Sequence, residues 1–155
     1  MKVKFIVLGE PQGKERARAV ALHNKATNTP VINPKSGRAV ITEYTPKKTE
    51  EYEKLIANEY RRQIGRFKFK YNEMLDMRIM AYYTIPKSDS KTLQAKKESG
   101  EIRPTKKPDW DNIAKVVADS LNKVAYKDDA QVVDAQVRKF YSRLPRIEVT
   151  ILTAH

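Results

Sequence analysis

The sequence predicts an α+β fold: one domain over residues 1–155, with a mixed β-sheet, a C-terminal hairpin and two main packed helices. Three observations carry this. Apolar side chains alternate strictly at Leu75, Met77, Ile79, Ala81, Tyr83 and Ile85, and again at Val133, Ala135, Val137 and at Ile147, Val149, Ile151, the period of half-buried strands. They recur instead at helical spacing in Tyr52, Leu55, Ile56, Tyr60, Ile64 and in Ile113, Val116, Val117, Leu121, Val124. The two kinds of segment interleave without a strict βαβ rhythm, which favours α+β over α/β. A length of 155 residues suits a single core.

Lys2–Leu8 (KVKFIVL) opens the chain as a strand. Gly9 and Pro11 end it, and Lys14, Arg16 and Arg18 follow on alternate residues. In extended backbone those three point one way, as a row for phosphates or as a solvated basic edge. Val31–Ile41 places NPKSGR between two short β-branched runs and reads as a hairpin. Thr45 and Pro46 suit the N-cap and first position of the first helix, and Gly65 suits its C-terminal end. Ser88–Gly100 is lysine-rich with Leu93 nearly alone, which predicts a poorly packed helix or loop. The two final strands, joined by a turn near Pro145, are expected to pair as the C-terminal hairpin.

Lys and Arg number 31 against 19 Asp and Glu, a formal net charge of +12. That surplus favours nucleic acid or an anionic surface without selecting a fold. With no cysteine, disulfides and thiolate-bound zinc are excluded. The two histidines, His23 and His155, suggest no histidine-based site. The apolar run Phe5–Leu8 is too short for a signal-peptide core, and no segment approaches the ~20 apolar residues of a membrane span. A soluble cytoplasmic protein with no membrane partner is the expectation.

The informative stretch is Arg103–Lys139, RPTKKPDWDNIAKVVADSLNKVAYKDDAQVVDAQVRK. Asp109 and Asp111 stand at the head of a helical pattern, and Asp128 and Asp129 follow it. Carboxylates gathered in a basic chain suggest a divalent-cation site acting on a polyanion. At i, i+2 on a regular helix two side chains diverge by about 200°, so Asp109 and Asp111 converge only if Asp109 lies outside the helical turn. Its position after Pro108 allows this, although plain N-capping explains a D-x-D equally. Lys115, four residues after Asp111, can face a phosphate or form an ordinary ion pair with that aspartate. Of Asp128 and Asp129, neighbours that point apart in extended chain, one suits a ligand and the other a supporting role, unless the pair is merely a hydrophilic turn. Asp119 lies about 12 Å along the helix from Asp111 and reads as structural. Trp110 reads as a packed aromatic, and no side chain stands out as a base reader.

KPDWDNIAKVVADSLN followed by YKDDAQVVDAQVRK resembles the signature of the RusA-type Holliday junction resolvases of bacteria and their phages. YTPKKTEEYEKLI resembles that family's helix after the first hairpin. IPKSDSKTLQAKKESGEIRPTKKPD and GEPQGKERAR are similar to its phage and prophage branch. The resemblance implies that Asp109, Asp111 and Asp129 hold Mg²⁺ or Mn²⁺ with Asp128 beside them. It implies too that Lys115 is the catalytic lysine and that Asn112 positions its neighbours. It further implies a homodimer that nicks opposed strands of a four-way DNA junction. Lys14, Arg16, Arg18, Arg103, Lys106, Lys107, Arg138 and Lys139 are expected to hold the DNA backbone. Two other functions stay open: a basic nucleic-acid-binding protein without chemistry, and a related nuclease preferring flaps or replication forks.

Overall fold

Leu75–Thr84, the strand with the strictest alternation, lies between two others in the sheet. The computed structural model describes residues 1–155. In chain order these form β1 (Lys2–Leu8), β2 (Arg18–Ala21), β3 (Ile41–Tyr44), α1 (Lys47–Ile64), β4 (Leu75–Thr84), α2 (Lys91–Glu98), α3 (Trp110–Ser120), β5 (Val132–Ser142) and β6 (Arg146–Thr153). A 3₁₀ turn at Asp129–Gln131 leads into β5. The main sheet has the order β1-β6-β4-β5, with β4 antiparallel to β6 and parallel to β5.

The α+β class, the mixed sheet and the two packed helices stand. The C-terminal strands do not pair as a hairpin: β5 and β6 flank β4, and the link from Ser142 to Arg146 steps across its end. The reason lies in β4 itself. Leu75, Met77, Ile79, Ala81 and Tyr83 are all buried, and at an edge the backbone beside them would be unpaired. Two neighbours satisfy both of its hydrogen-bonding edges.

Helices α1 and α3 cover one face of the sheet. Tyr52, Ile56 and Tyr60 from α1 meet Ile113, Val116 and Val117 from α3 over Val3, Phe5, Val7, Ile147, Val149 and Ile151. Removing a fully buried aliphatic such as Ile113 costs about 2–5 kcal/mol. Helix α2 buries nothing, as its lysines predict, and Ser90 caps it by accepting from Leu93 N–H at 3.2 Å. Helix α1 starts one residue later than the sequence suggests. Pro46 is the N-cap, its carbonyl accepts from Glu50 N–H at 3.0 Å, and Thr45 caps nothing. Gly65 ends α1 with φ +87°, a conformation that suits glycine.

The predicted hairpin is present within a longer ribbon. Val40 N–H donates to Val31 O and Asn33 N–H to Arg38 O, both at 2.8 Å. Outside it, β2 and β3 pair in register from Arg18↔Tyr44 to Ala21↔Ile41.

Candidate active site

Strands β4 and β5 run parallel, so the chain between them must return from one end of the sheet to the other. Helix α3 makes that return. Residues just before it lie at the C-terminal ends of β4 and β5, and residues just after it lie at their N-terminal ends. This splits the acidic residues. Asp109 and Asp111 stand at the head of α3, whereas Asp129 N–H donates at 2.8 Å to Asn122, beyond the helix's other end. Asp119, whose charge reaches Asp129, is about 12 Å along the axis from Asp111. No three acidic or histidine side chains of the chain are grouped so as to hold a metal. The four carboxylates therefore do not form one cluster within a single chain.

Asp109 is the N-cap residue of α3 by backbone angle, φ −69° and ψ 152°, yet its side chain makes no capping bond. Asp111 occupies the first helical turn. Both line a cavity of about 620 Å³ that has no hydrophobic wall and is ringed by Lys14, Arg16, Lys48 and Lys107. Neither aspartate nor Lys115 belongs to an ion pair. Capping and the Asp111–Lys115 pair, the two ordinary roles open to them, are both unfilled. Two carboxylates at a helix N-terminus, with water and phosphate completing the shell, suit Mg²⁺.

The opposite wall is a strap, Gly9–Arg16. Gly9 N–H donates to Pro145 O at 3.0 Å, Glu10 bonds Thr84, and Lys14 N–H donates to Asn112 O at 2.9 Å. Glu15 N–H reaches Thr49 Oγ1 at 3.3 Å. Gly13 lies so close to α3 that a Cβ there would be 2.9 Å from the Asn112 Cβ. The Lys14 side chain is folded inward, paired with Glu53 and, at 3.4 Å, with Asp119. Burial pulls its pKa down, but these two carboxylates outweigh that and hold it raised. Asp119 is thus structural, as its spacing predicts.

The approach to Asp109 is fixed from the other side. Tyr83 donates to Pro108 O at 2.7 Å, and its pKa is raised by burial and then by the Asp109 and Glu10 charges. Lys139 Nζ donates to Lys106 O at 2.6 Å, while Arg103 Nε donates to Lys139 O at 2.8 Å and stacks 4.3 Å from the Phe140 ring. Burial lowers the Lys139 pKa, and the Asp109 charge opposes that.

Several expected phosphate contacts therefore change role. Lys14 is spent inside the protein, and Arg103 and Lys139 latch the 100–108 segment across β5. The row of Lys14, Arg16 and Arg18 is broken at its first member, because Glu53 and Asp119 draw the Lys14 ammonium inward. Arg16 and Lys107 face the cavity, Arg18 sits 3.6 Å from Glu15, and Lys106 and Arg138 are exposed. Trp110, expected to pack, is 64% exposed beside the two aspartates. Lys48, Thr49, Tyr83, Glu10 and Gly13 were not singled out by sequence. Of these only Gly13, a glycine outside any predicted turn, carried a signal.

At the far end, Asp128 caps the 3₁₀ turn, accepting from Ala130 N–H at 2.8 Å in a reciprocal capping box with Gln131. That amide, and then a hydrogen bond shared with Asp129, lowers its pKa. Asp129 is raised, first by burial, then by Asp128 and the charge of Asp119. Beside them a groove of about 520 Å³ is lined by Tyr71, Met74 and Val133, each more than half exposed.

The fold and the acidic helix head define a class that comparison with known proteins makes definite. Residues 9–152 match the model of the family described as Endodeoxyribonuclease RusA. A protein of Bacillus subtilis (strain 168), called the uncharacterized protein YqaN, is 36% identical over 151 residues, spanning 96% of this chain and 94% of that one. The chain belongs to the RusA endodeoxyribonuclease family, and a DNA-cleaving hydrolase is the activity that membership implies. No helix is long and apolar enough to cross a membrane.

Proposed function

We propose that the protein is a divalent-metal-dependent endonuclease that resolves four-way DNA junctions in recombination and repair, acting as a homodimer in the cytoplasm. The observation that carries this is the pair Asp109 and Asp111, uncapped and unpaired in a cavity ringed by cations. Such acids have no use to a protein that only grips phosphate.

Asp109 and Asp111 would hold Mg²⁺ or Mn²⁺ together with Asp129, and Asp128 would support Asp129. An ion held by these carboxylates would supply activation of water and neutralisation of charge developing at phosphorus. Lys115 stabilises the phosphate undergoing attack, and Asn112, clasped by the strap, keeps the helix head in place. Arg16, Arg18, Lys106, Lys107 and Arg138 hold the DNA backbone.

The separation of Asp111 from Asp129 gives the dimer a chemical purpose. In a two-fold pair, any contact made by one copy is repeated in reverse by the other. Trp110 at the head of α3, and Tyr71, Met74 and Val133 at the far end, are exposed, and in the proposed dimer the first would pack beside the other three of a second copy. Asp109 and Asp111 then meet the second copy's Asp129, twice per dimer. Two sites related by a two-fold axis are what paired nicks across a junction require.

Synthetic four-way junction and matched linear duplex, incubated with protein with and without Mg²⁺, test the reading. Paired symmetric nicks should appear in the junction alone. Asp111→Asn should abolish them while binding survives. Preferential cleavage of flaps or forks would transfer the assignment to a related nuclease. Cleavage of no DNA with any divalent ion would leave a nucleic-acid-binding protein.

A further inference from the structure

The ribbon formed by β2, β3 and the turns between them has no core beneath it. From Glu15 to Tyr44 no residue is buried, and only Ala21, Val31 and Val40 are half-buried. Its backbone hydrogen bonds run within the ribbon, as Leu22 N–H to Val40 O and Val31 N–H to Leu22 O do, each at 2.7 Å. Isolated two-stranded ribbons are marginal in water. One that also exposes Val20, Leu22, Ile41 and Tyr44 has contact surface to spare for a partner.

Charge identifies that partner. Residues 16–44 carry Arg16, Arg18, Lys25, Lys35 and Arg38 against Glu43 alone. A second ribbon laid against the first would bring like charges together, whereas a polyanion would neutralise them. The base of the ribbon sits at the acidic cavity, since Arg16 lines that cavity and Arg18 begins β2. From Arg18 to Asn24 an extended chain reaches about 20 Å, the rise of about six base pairs. A two-stranded ribbon also has the width that a major groove admits.

We infer that the β2–β3 ribbon is a duplex-gripping arm, lying along the DNA that flanks the phosphate held at the cavity. It grips through backbone charge rather than base edges, so it sets affinity and leaves the chemical step alone. The inference rests on the nuclease reading for its choice of DNA.

Two variants test it. In one, residues 22–40 are replaced by Asn-Gly, a turn that joins the directly paired Ala21 and Ile41. In the other, Lys25→Glu, Lys35→Glu and Arg38→Glu are combined on the exposed surface, where the fold does not depend on them. Binding is measured on four-way junctions with arms of about 20 or about 5 base pairs over a range of salt. Both variants should bind the long-armed junction about tenfold more weakly than the parent. Their plots of log K against log salt should be shallower by about two to three. Affinity for the short-armed junction and the nicking rate at saturating DNA should be unchanged.

Parental affinity and salt dependence on long arms in both variants would overturn the inference. So would a change in oligomeric state on trimming with DNA affinity untouched, which would make the ribbon a contact between copies. If the parent nicks no DNA yet the arm-length dependence holds, the nuclease reading fails and the ribbon assignment survives.

Discussion

A Cβ on Gly13 would lie 2.9 Å from the Asn112 Cβ and 3.0 Å from that of Pro108. One neighbour is fixed in the first turn of α3 and the other in a ring, so the strap itself must move. Gly13→Ala should therefore cost about 1–3 kcal/mol of stability, seen as a lower urea midpoint, and lower nicking as well. An unchanged midpoint would mean the strap is looser than its contacts suggest. Lys115 is exposed and unpaired in the same helix. Lys115→Ala should reduce the rate at saturating DNA more than it reduces affinity, and an equal loss in both would make it a backbone contact instead. At this scale the sequence was uneven. Spacing tells that Asp111 and Lys115 share a helix face and that Asp119, two turns on, stands about 12 Å from Asp111. It could not tell that Lys14 folds inward, because Glu53 and Asp119 reach it from two different helices.

Elements were legible wherever period and punctuation agreed. The alternation of β4, the face of α3 and the glycine closing α1 all lie where the pattern places them. The partner of each strand was harder to read, because alternation says which face is buried and nothing about which neighbour is bonded. The short link from Ser142 to Arg146 suggested a hairpin, yet the burial of β4 demanded a strand on both sides. That one choice also decides where the acids go: a parallel β4–β5 pair sends the two ends of α3 to opposite ends of the sheet. On the sheet's other face, Glu148 takes Lys4 at 3.0 Å and Arg146 at 2.9 Å. Burial pushes its pKa up, but the two cations prevail and hold it lowered. The stabilisation is present above the unfolded carboxylate value of about 4.3 and fades as pH falls through the lower folded value. Glu148→Gln should cost about 1 kcal/mol at neutral pH, and the cost should shrink steadily as pH falls below about 4.3. A penalty that does not change with pH would trace it to packing instead of charge.

For the whole molecule, a net charge of +12 and a sparse set of unpaired acids work in opposite senses. The cations gather DNA, and affinity should fall steeply with salt. The acids repel DNA unless a cation joins them. Sequence announced both halves of this arrangement and the family resemblance named its chemistry, but a linear pattern could not show that one chain holds the acids apart. The proposed dimer would unite them, and subunit mixing tests this most directly. Asp111→Asn and Asp129→Asn proteins, each inactive alone, are combined, allowed to exchange subunits and assayed on a four-way junction with Mg²⁺. Shared sites predict that nicking returns, because a mixed dimer pairs one unaltered Asp111 with one unaltered Asp129. If the mixture stays as inactive as its components while mixed dimers form, each site is built within one chain and the account is contradicted.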